Sequence, residues 1–142
     1  MSTDDLARQI DQLVPKSLDD IIRTNRDVAR LYLTTDAEIN ALRASVPPGA
    51  ITGTISAWAF ITMFMTKSGT AIVNLTGFND AERCSWMTSQ VMAIDGDTVV
   101  TRSGSYYRLQ GERSDTPDLL HICATLHLWG VGPMLGVPHI FY

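Results

Sequence analysis

The first part of the chain carries apolar residues at helical spacing, interrupted by a proline. Thr3 can cap a first helix whose apolar positions fall on one face, namely Leu6, Ile10 and Leu13. Ser17 opens a predicted second helix after Pro15, because acidic residues follow it in the first turn. We expect the apolar stripe of this second helix to comprise Leu18, Ile21, Ile22, Val28 and Leu31.

A capping signal then predicts a third helix. Thr35 and Glu38 have the spacing of a capping box, in which each side chain accepts a hydrogen bond from the other residue's backbone N–H. This helix should reach about Ala44, because a Pro-Pro-Gly sequence follows shortly afterwards. The pattern therefore predicts three short helices within residues 1–46.

After the prolines, the apolar positions become nearly continuous. Residues 51–65 suit either a strand or a helix, because periodicity cannot separate the two when almost every position is apolar. The turn-forming residues 67–70 and the β-prone residues 71–75 favour the strand, as the first arm of a hairpin.

A β-meander is the clearest pattern in the chain. Residues 77–85 are predicted to form a polar connection, in which Gly77 is one of the turn formers. Strands are then predicted at 86–94, 98–102 and 105–110, separated by glycine-containing turns. With the hairpin, this gives an antiparallel sheet of about five strands over residues 50–112.

The last part of the chain returns to a helical pattern. Thr116 is predicted to cap a helix with Pro117 at its first position, and the helix should end near Trp129. Residues 131–142 are too apolar for a frayed terminus, so we expect them to pack back on the sheet.

These elements together predict a single α+β domain that spans residues 1–142. It combines a helical part at 1–46, an antiparallel sheet at 50–112, and a C-terminal helix and apolar tail at 116–142.

Composition fits this picture and narrows the function. The chain has 142 residues, 45% hydrophobic and 18% charged, with a net charge of −4, which is typical of a folded domain. Binding to nucleic acid depends on a cationic excess that this chain lacks, so we predict no nucleic-acid partner.

The uncharged runs and the cysteines bear on the compartment. Residues 44–66 and 119–142 contain no Asp, Glu, Lys or Arg, but glycine and proline interrupt both, which favours core elements over membrane spans. Peripheral membrane association through 119–142 is the alternative. An acidic N-terminus and the widely separated Cys84 and Cys123 predict a cytoplasmic protein with reduced thiols.

Histidine and cysteine are the candidate catalytic and metal-binding residues. His121 and His127 are six positions apart, about 240° around a helix axis, so they cannot bind one metal ion from one face. We predict no metal, no cofactor and no catalytic residue. A nucleophile formed by Cys123, or by Cys84 beside Arg83, with a distant histidine is the alternative.

The most distinctive stretch is a glycine corner flanked by polar side chains, namely Arg102, Ser103, Ser105, Tyr106 and Arg108. Arginine binds carboxylate or phosphate groups, and tyrosine offers a rigid contact surface. We expect these residues, with His121 and His127, to bind a partner or an anionic ligand. Alternatively, they are ordinary outward positions of strands. The stretch resembles segments of small bacterial and phage proteins, which implies no activity.

Two functional hypotheses follow. The first is a small, non-enzymatic, cytoplasmic protein-interaction domain, such as a bacterial or phage inhibitor or regulator, which binds a protein partner or forms a homodimer. Its basis is the large number of aromatic and methionine residues for one small domain. The second is a protein that binds an anionic small molecule, or a modest enzyme, with a pocket between the sheet and the C-terminal helix.

Overall fold

The computed structural model describes residues 3–13, 15–22 and 25–132, and these form a mixed α+β fold. Within these ranges the helices are α1 (Thr3–Leu13), α2 (Leu18–Ile21), α3 (Asp36–Leu42) and α4 (Leu119–Leu128). The strands are β1 (Ala29–Leu33), β2 (Ile51–Met65), β3 (Thr70–Asn79), β4 (Cys84–Asp95), β5 (Thr98–Thr101) and β6 (Tyr106–Leu109). The six strands form one sheet in the order of the chain.

Strand β2 has three neighbours, and this closes most of the sheet into a ring. Residues 55–65 pair antiparallel with β3, and residues 61–65 also pair antiparallel with β1, whereas residues 51–55 pair in parallel with β6. Antiparallel pairings connect β3, β4, β5 and β6 in turn, so β2 to β6 form a closed circuit. Strand β1 lies outside this circuit as an edge strand.

A bulge in β2 changes which of its side chains point to each face of the sheet. Between Ser56 and Ala59 the register with β3 shifts, and Ala57 adopts a left-handed φ of 46°. One extra residue reverses the alternation of side chains along a strand. Ile55 and Phe60 therefore belong to the same buried cluster although five positions separate them.

Two apolar clusters stabilise the fold. The ring core draws residues from every strand of the closed circuit and from α3, namely Ile39, Ile55, Phe60, Val73, Leu75, Val91, Ile94, Val99 and Tyr107. The outer core lies where α2, β1 and α4 meet the other face of the sheet, and consists of Leu18, Ile21, Ile22, Ala29, Leu31, Ile61, Met63, Met87, Ile122, Cys123 and Leu126.

The predicted second helix was too long. Ser17 does cap α2, since its hydroxyl accepts a hydrogen bond from the N–H of Asp20, but this helix ends at Ile21. Residues 29–33 form β1 instead, with Ala29 and Leu31 buried and Arg30 between them exposed. Pairing with β2 therefore overrides the helical spacing, and the region predicted to be wholly helical contains a strand.

The sheet also differs from the predicted one. It has six strands in the described ranges, where about five were predicted, and the β2–β6 pairing is parallel. The predicted connection at 77–85 is shorter, because β3 continues to Asn79 and β4 begins at Cys84. An odd number of meandering strands that closes on itself brings its first and last strands together in parallel, which explains the exception.

The C-terminal helix begins later than predicted. Its N-cap is Asp118, whose carboxylate accepts a hydrogen bond from the N–H of His121 at 3.1 Å, so Thr116 is not the cap. Pro117 precedes the helix. The predicted packing of the tail on the sheet concerns residues that, from 133 onward, lie outside the described ranges.

Several local predictions are confirmed. The capping box is complete, with Glu38 N–H donating to Thr35 Oγ1 and Thr35 N–H donating to Glu38 Oε1. Residues 51–65 are a strand, and β2 and β3 form the predicted hairpin. No helix in the described ranges has both the length and the apolar character that crossing a membrane requires.

Candidate functional site

The largest cavity among those described is a groove of about 640 Å³ between the sheet and the end of α4. Its apolar wall consists of Met63, Met65, Ile72, Trp86, Met87, Trp129 and Val131. Methionine side chains adapt to different apolar shapes, and tryptophan supplies large flat contact areas. The volume lies within the range of small-molecule sites, roughly 300–1,000 Å³.

The polar part of the groove comes from β3, β4, β6 and the β5–β6 turn, namely from Asn74, Thr88, Ser89, Gln90, Arg102, Ser103 and Tyr107. Arg102 is the one charged side chain in the described lining, and it is exposed. Its backbone N–H donates to Gln90 O at 2.8 Å, which fixes the β5–β6 turn against β4. One rim of a groove whose described lining is otherwise uncharged is therefore cationic.

Hydroxyl groups cluster beside Arg102. Ser103 Oγ lies 3.2 Å from Ser89 Oγ, 3.1 Å from Thr101 Oγ1 and 3.4 Å from Ser105 Oγ. Hydroxyls both donate and accept hydrogen bonds and can rotate to suit a new partner. The cluster can therefore turn donors towards an anionic group that pairs with Arg102.

A second donor lies deeper in the groove. The Trp86 Nε1–H donates to the hydroxyl of Tyr107 at 3.2 Å, and Tyr107 is almost fully buried. The hydroxyl therefore acts as an acceptor towards Trp86 and retains its own proton, for which the described residues supply no acceptor. A ligand oxygen in the groove could accept that proton in a hydrogen bond.

The predicted site residues divide into three groups in the structure. Arg102, Ser103 and Ser105 lie together at the β5–β6 turn, and the first two line the groove. Tyr106 and Arg108 line a separate cavity of about 280 Å³. The Tyr106 ring packs on Gly49, and its hydroxyl donates to Pro47 O at 2.9 Å, so this tyrosine fastens the loop before β2.

The predicted histidines form the third group. His121 and His127 belong to α4 and are partly buried, and neither is among the described residues that line the groove. The cysteines differ in environment, since Cys84 is exposed at the start of β4 and Cys123 is fully buried in the outer core. Within the described ranges, no three His, Cys, Asp or Glu side chains are grouped to hold a metal ion.

Sequence reasoning missed the apolar wall of the groove. Met63, Met87 and Trp129 come from β2, β4 and the end of α4, which are far apart in the chain. The abundance of aromatic and methionine residues predicts excess apolar surface, but no local pattern relates these positions. The pairing of β2 with β3 and of β3 with β4 brings Met63 and Met87 to one face, and the end of α4 adds Trp129.

Comparison with protein-family models, with curated proteins and with solved structures finds no match to this chain.

Proposed function

We propose that the protein binds an amphipathic anion, with an apolar body and a carboxylate or phosphate head, in the groove between the sheet and α4. The single observation that carries this proposal is an apolar groove of about 640 Å³ with Arg102 as the one charged residue of its described lining. Such a site favours a ligand that buries apolar surface and bears one negative charge.

Each part of the ligand has a partner in the groove. The apolar body would contact Met63, Met87 and Trp129, and each buried methylene group would contribute about 0.8 kcal/mol. The anionic head would pair with the Arg102 guanidinium and accept hydrogen bonds from the hydroxyl of Ser103. The proposed role is binding and does not require a catalytic group.

The test is a thermal-shift and calorimetric titration with hexanoate, octanoate and decanoate. Affinity should rise with chain length, because each added methylene extends apolar contact in the groove. Arg102→Ala should weaken octanoate binding about tenfold or more, since a hydrogen bond to a charged group contributes roughly 1.5–3 kcal/mol.

Arg108→Ala is the matched control, because Arg108 is also an exposed arginine of the predicted patch but lines the other cavity. This variant should bind octanoate as the natural chain does. Octylamine, which reverses the charge of the head group, should bind poorly. Equal loss in both arginine variants, or equal affinity for the amine and the carboxylate, would contradict the proposal.

A second candidate function is binding of a protein partner, and a second copy of the chain is one such partner. Exposed apolar side chains favour it, since Leu128 is 82% exposed and the adjacent Trp129 45% exposed. A bacterial or phage inhibitor or regulator would act in this way. We also propose a cytoplasmic location for either function, because Cys84 and Cys123 are not joined in a disulfide.

A further inference from the structure

Strand β1 turns one side of its backbone away from the sheet. The N–H of Thr34 donates to Phe60 O at 2.9 Å, and this bond sets the alternation of hydrogen bonds between β1 and β2. By that alternation, the peptide groups of Ala29, Leu31 and Leu33 point to the open edge.

Two of these three edge positions are already occupied. The N–H of Ala29 donates to Asn25 O at 3.1 Å, and the N–H of Leu31 donates to the Asp19 carboxylate. Leu33 differs, because its N–H has no partner among the described residues and the residue is 40% exposed. The outward N–H groups of β1 are therefore already hydrogen-bonded at Ala29 and Leu31, and the one at Leu33 is open to a new partner.

A cleft of about 450 Å³ lies beside this open end. Its apolar walls are formed by Leu18, Leu31, Leu33, Pro117 and Leu119. The opposite wall is held in place, because the N–H of Ser114 donates to Trp58 O at 2.7 Å and Asp118 caps α4. Apolar walls on both sides and an open peptide group at the edge suit one apolar side chain carried on an extended backbone.

The charged side chains at the cleft indicate which charge a bound segment should carry. Asp115 lines the cleft and also an adjoining cavity of about 100 Å³, and it forms no ion pair with any described residue. Asp19, the other acid at the cleft, is already paired with Arg30 at 2.7 Å, and Lys16 is the one base in the described lining. With a net charge of −4 on the whole chain, an unpaired acid here favours a cationic neighbour.

We propose that the end of β1 binds an extended segment of a partner protein by strand addition. The segment would pair with the peptide group of Leu33, place an apolar side chain in the cleft, and present a lysine or arginine to Asp115. This inference gives the protein-binding candidate a site. It does not involve the groove, so the octanoate titration and the peptide experiment can fail independently.

The probe is an acetylated, amidated peptide of alternating lysine and valine, with a glutamate–valine peptide as its matched control. In the protein alone, the Leu33 amide should exchange with solvent faster than those of Tyr32 and Thr34. Saturating lysine–valine peptide should slow the Leu33 exchange by about tenfold or more, and the glutamate–valine peptide should not. No protection of Leu33, or equal binding of both peptides, would overturn the proposal.

Two variants isolate the backbone and the charge. Leu33→Pro removes the outward N–H, which an edge strand tolerates, and also replaces a side chain that lines the cleft; it should abolish binding while the circular dichroism spectrum is retained. Asp115→Lys, an exposed substitution that covers the case in which Leu33→Pro does not fold, should reverse the preference to the glutamate peptide. Binding that persists in folded Leu33→Pro would overturn the proposal. It would also be overturned if the chain without peptide forms a dimer and Leu33→Pro dissociates that dimer.

Discussion

Gly77 shows how a single position can depend on a distant part of the chain. It faces the β2 bulge, where an added Cβ would lie 2.5 Å from Ile55 Cγ2 and 2.7 Å from the carbonyl oxygen of Ser56. Gly77→Ala should therefore destabilise the fold by about 1–3 kcal/mol, the usual cost of overpacking. Urea denaturation measures this, with Thr70→Ala as an exposed control in the same strand. Equal midpoints for the two variants would contradict the role given to Gly77.

The reason for this glycine could not be read from the sequence. Gly77 was predicted to be a turn former because turns favour glycine, yet it lies within β3 opposite the bulge.

The same limit applied to the candidate site. The polar stretch at residues 102–108 combined Arg102, which lines the groove, with Tyr106, whose hydroxyl is bonded to Pro47 O and which lines another cavity. A local pattern shows which side chains are polar and leaves open which cavity each one reaches.

Individual helices and strands were predictable to the extent that their signals are local. The capping box of α3 depends on two residues three positions apart, and it was predicted correctly. Strand β1 depends instead on its pairing with β2, whose residues lie about thirty positions later in the chain. Val28 and Leu31 continued the apolar spacing of α2 by coincidence, and only tertiary pairing distinguishes the two structures.

The link between α2 and β1 predicts a dependence of stability on pH. Hydrogen bonds from Arg30 at 2.9 and 2.7 Å hold the pKa of Asp19 below its ordinary value of 3.8. A lowered folded-state pKa stabilises the fold above the unfolded value, and this stabilisation is lost as the pH falls through the folded value. Asp19→Asn should therefore melt lower than the natural chain at pH 7.

The gap between the two melting temperatures should narrow steadily below about pH 4, because the natural chain then loses its Asp19 charge as well. Scanning calorimetry from neutral to acid pH measures this difference. Asp36→Asn is the matched control, since that carboxylate is 87% exposed and lies 3.5 Å from Arg113. It should change stability little at any pH. A constant gap for Asp19→Asn would contradict the assignment.

The closed ring is the feature of the chain that its sequence indicated least. The parallel contact between β2 and β6 joins residues about fifty positions apart, and neither strand carries a mark of its second partner. An antiparallel meander was the natural prediction for each step along the chain, and each step was correct. The ring closes because the twists of successive strands add up around the sheet, so no single strand determines the closure.

The path of β2 through both clusters predicts that the two cores unfold together. Phe60 belongs to the ring core and its neighbour Ile61 to the outer core, so neither can lose its packing without disturbing the other.

A denaturant titration can follow the cores separately in a chain with the substitutions Cys84→Ser and Trp129→Phe. Tryptophan fluorescence then reports the ring core, against which Trp58 and Trp86 pack, and thiol labelling of buried Cys123 reports the outer core. The two midpoints should coincide, as expected for one cooperative unit of this size. Labelling of Cys123 at a denaturant concentration where the fluorescence is still native would show that α2, β1 and α4 form a separate unit.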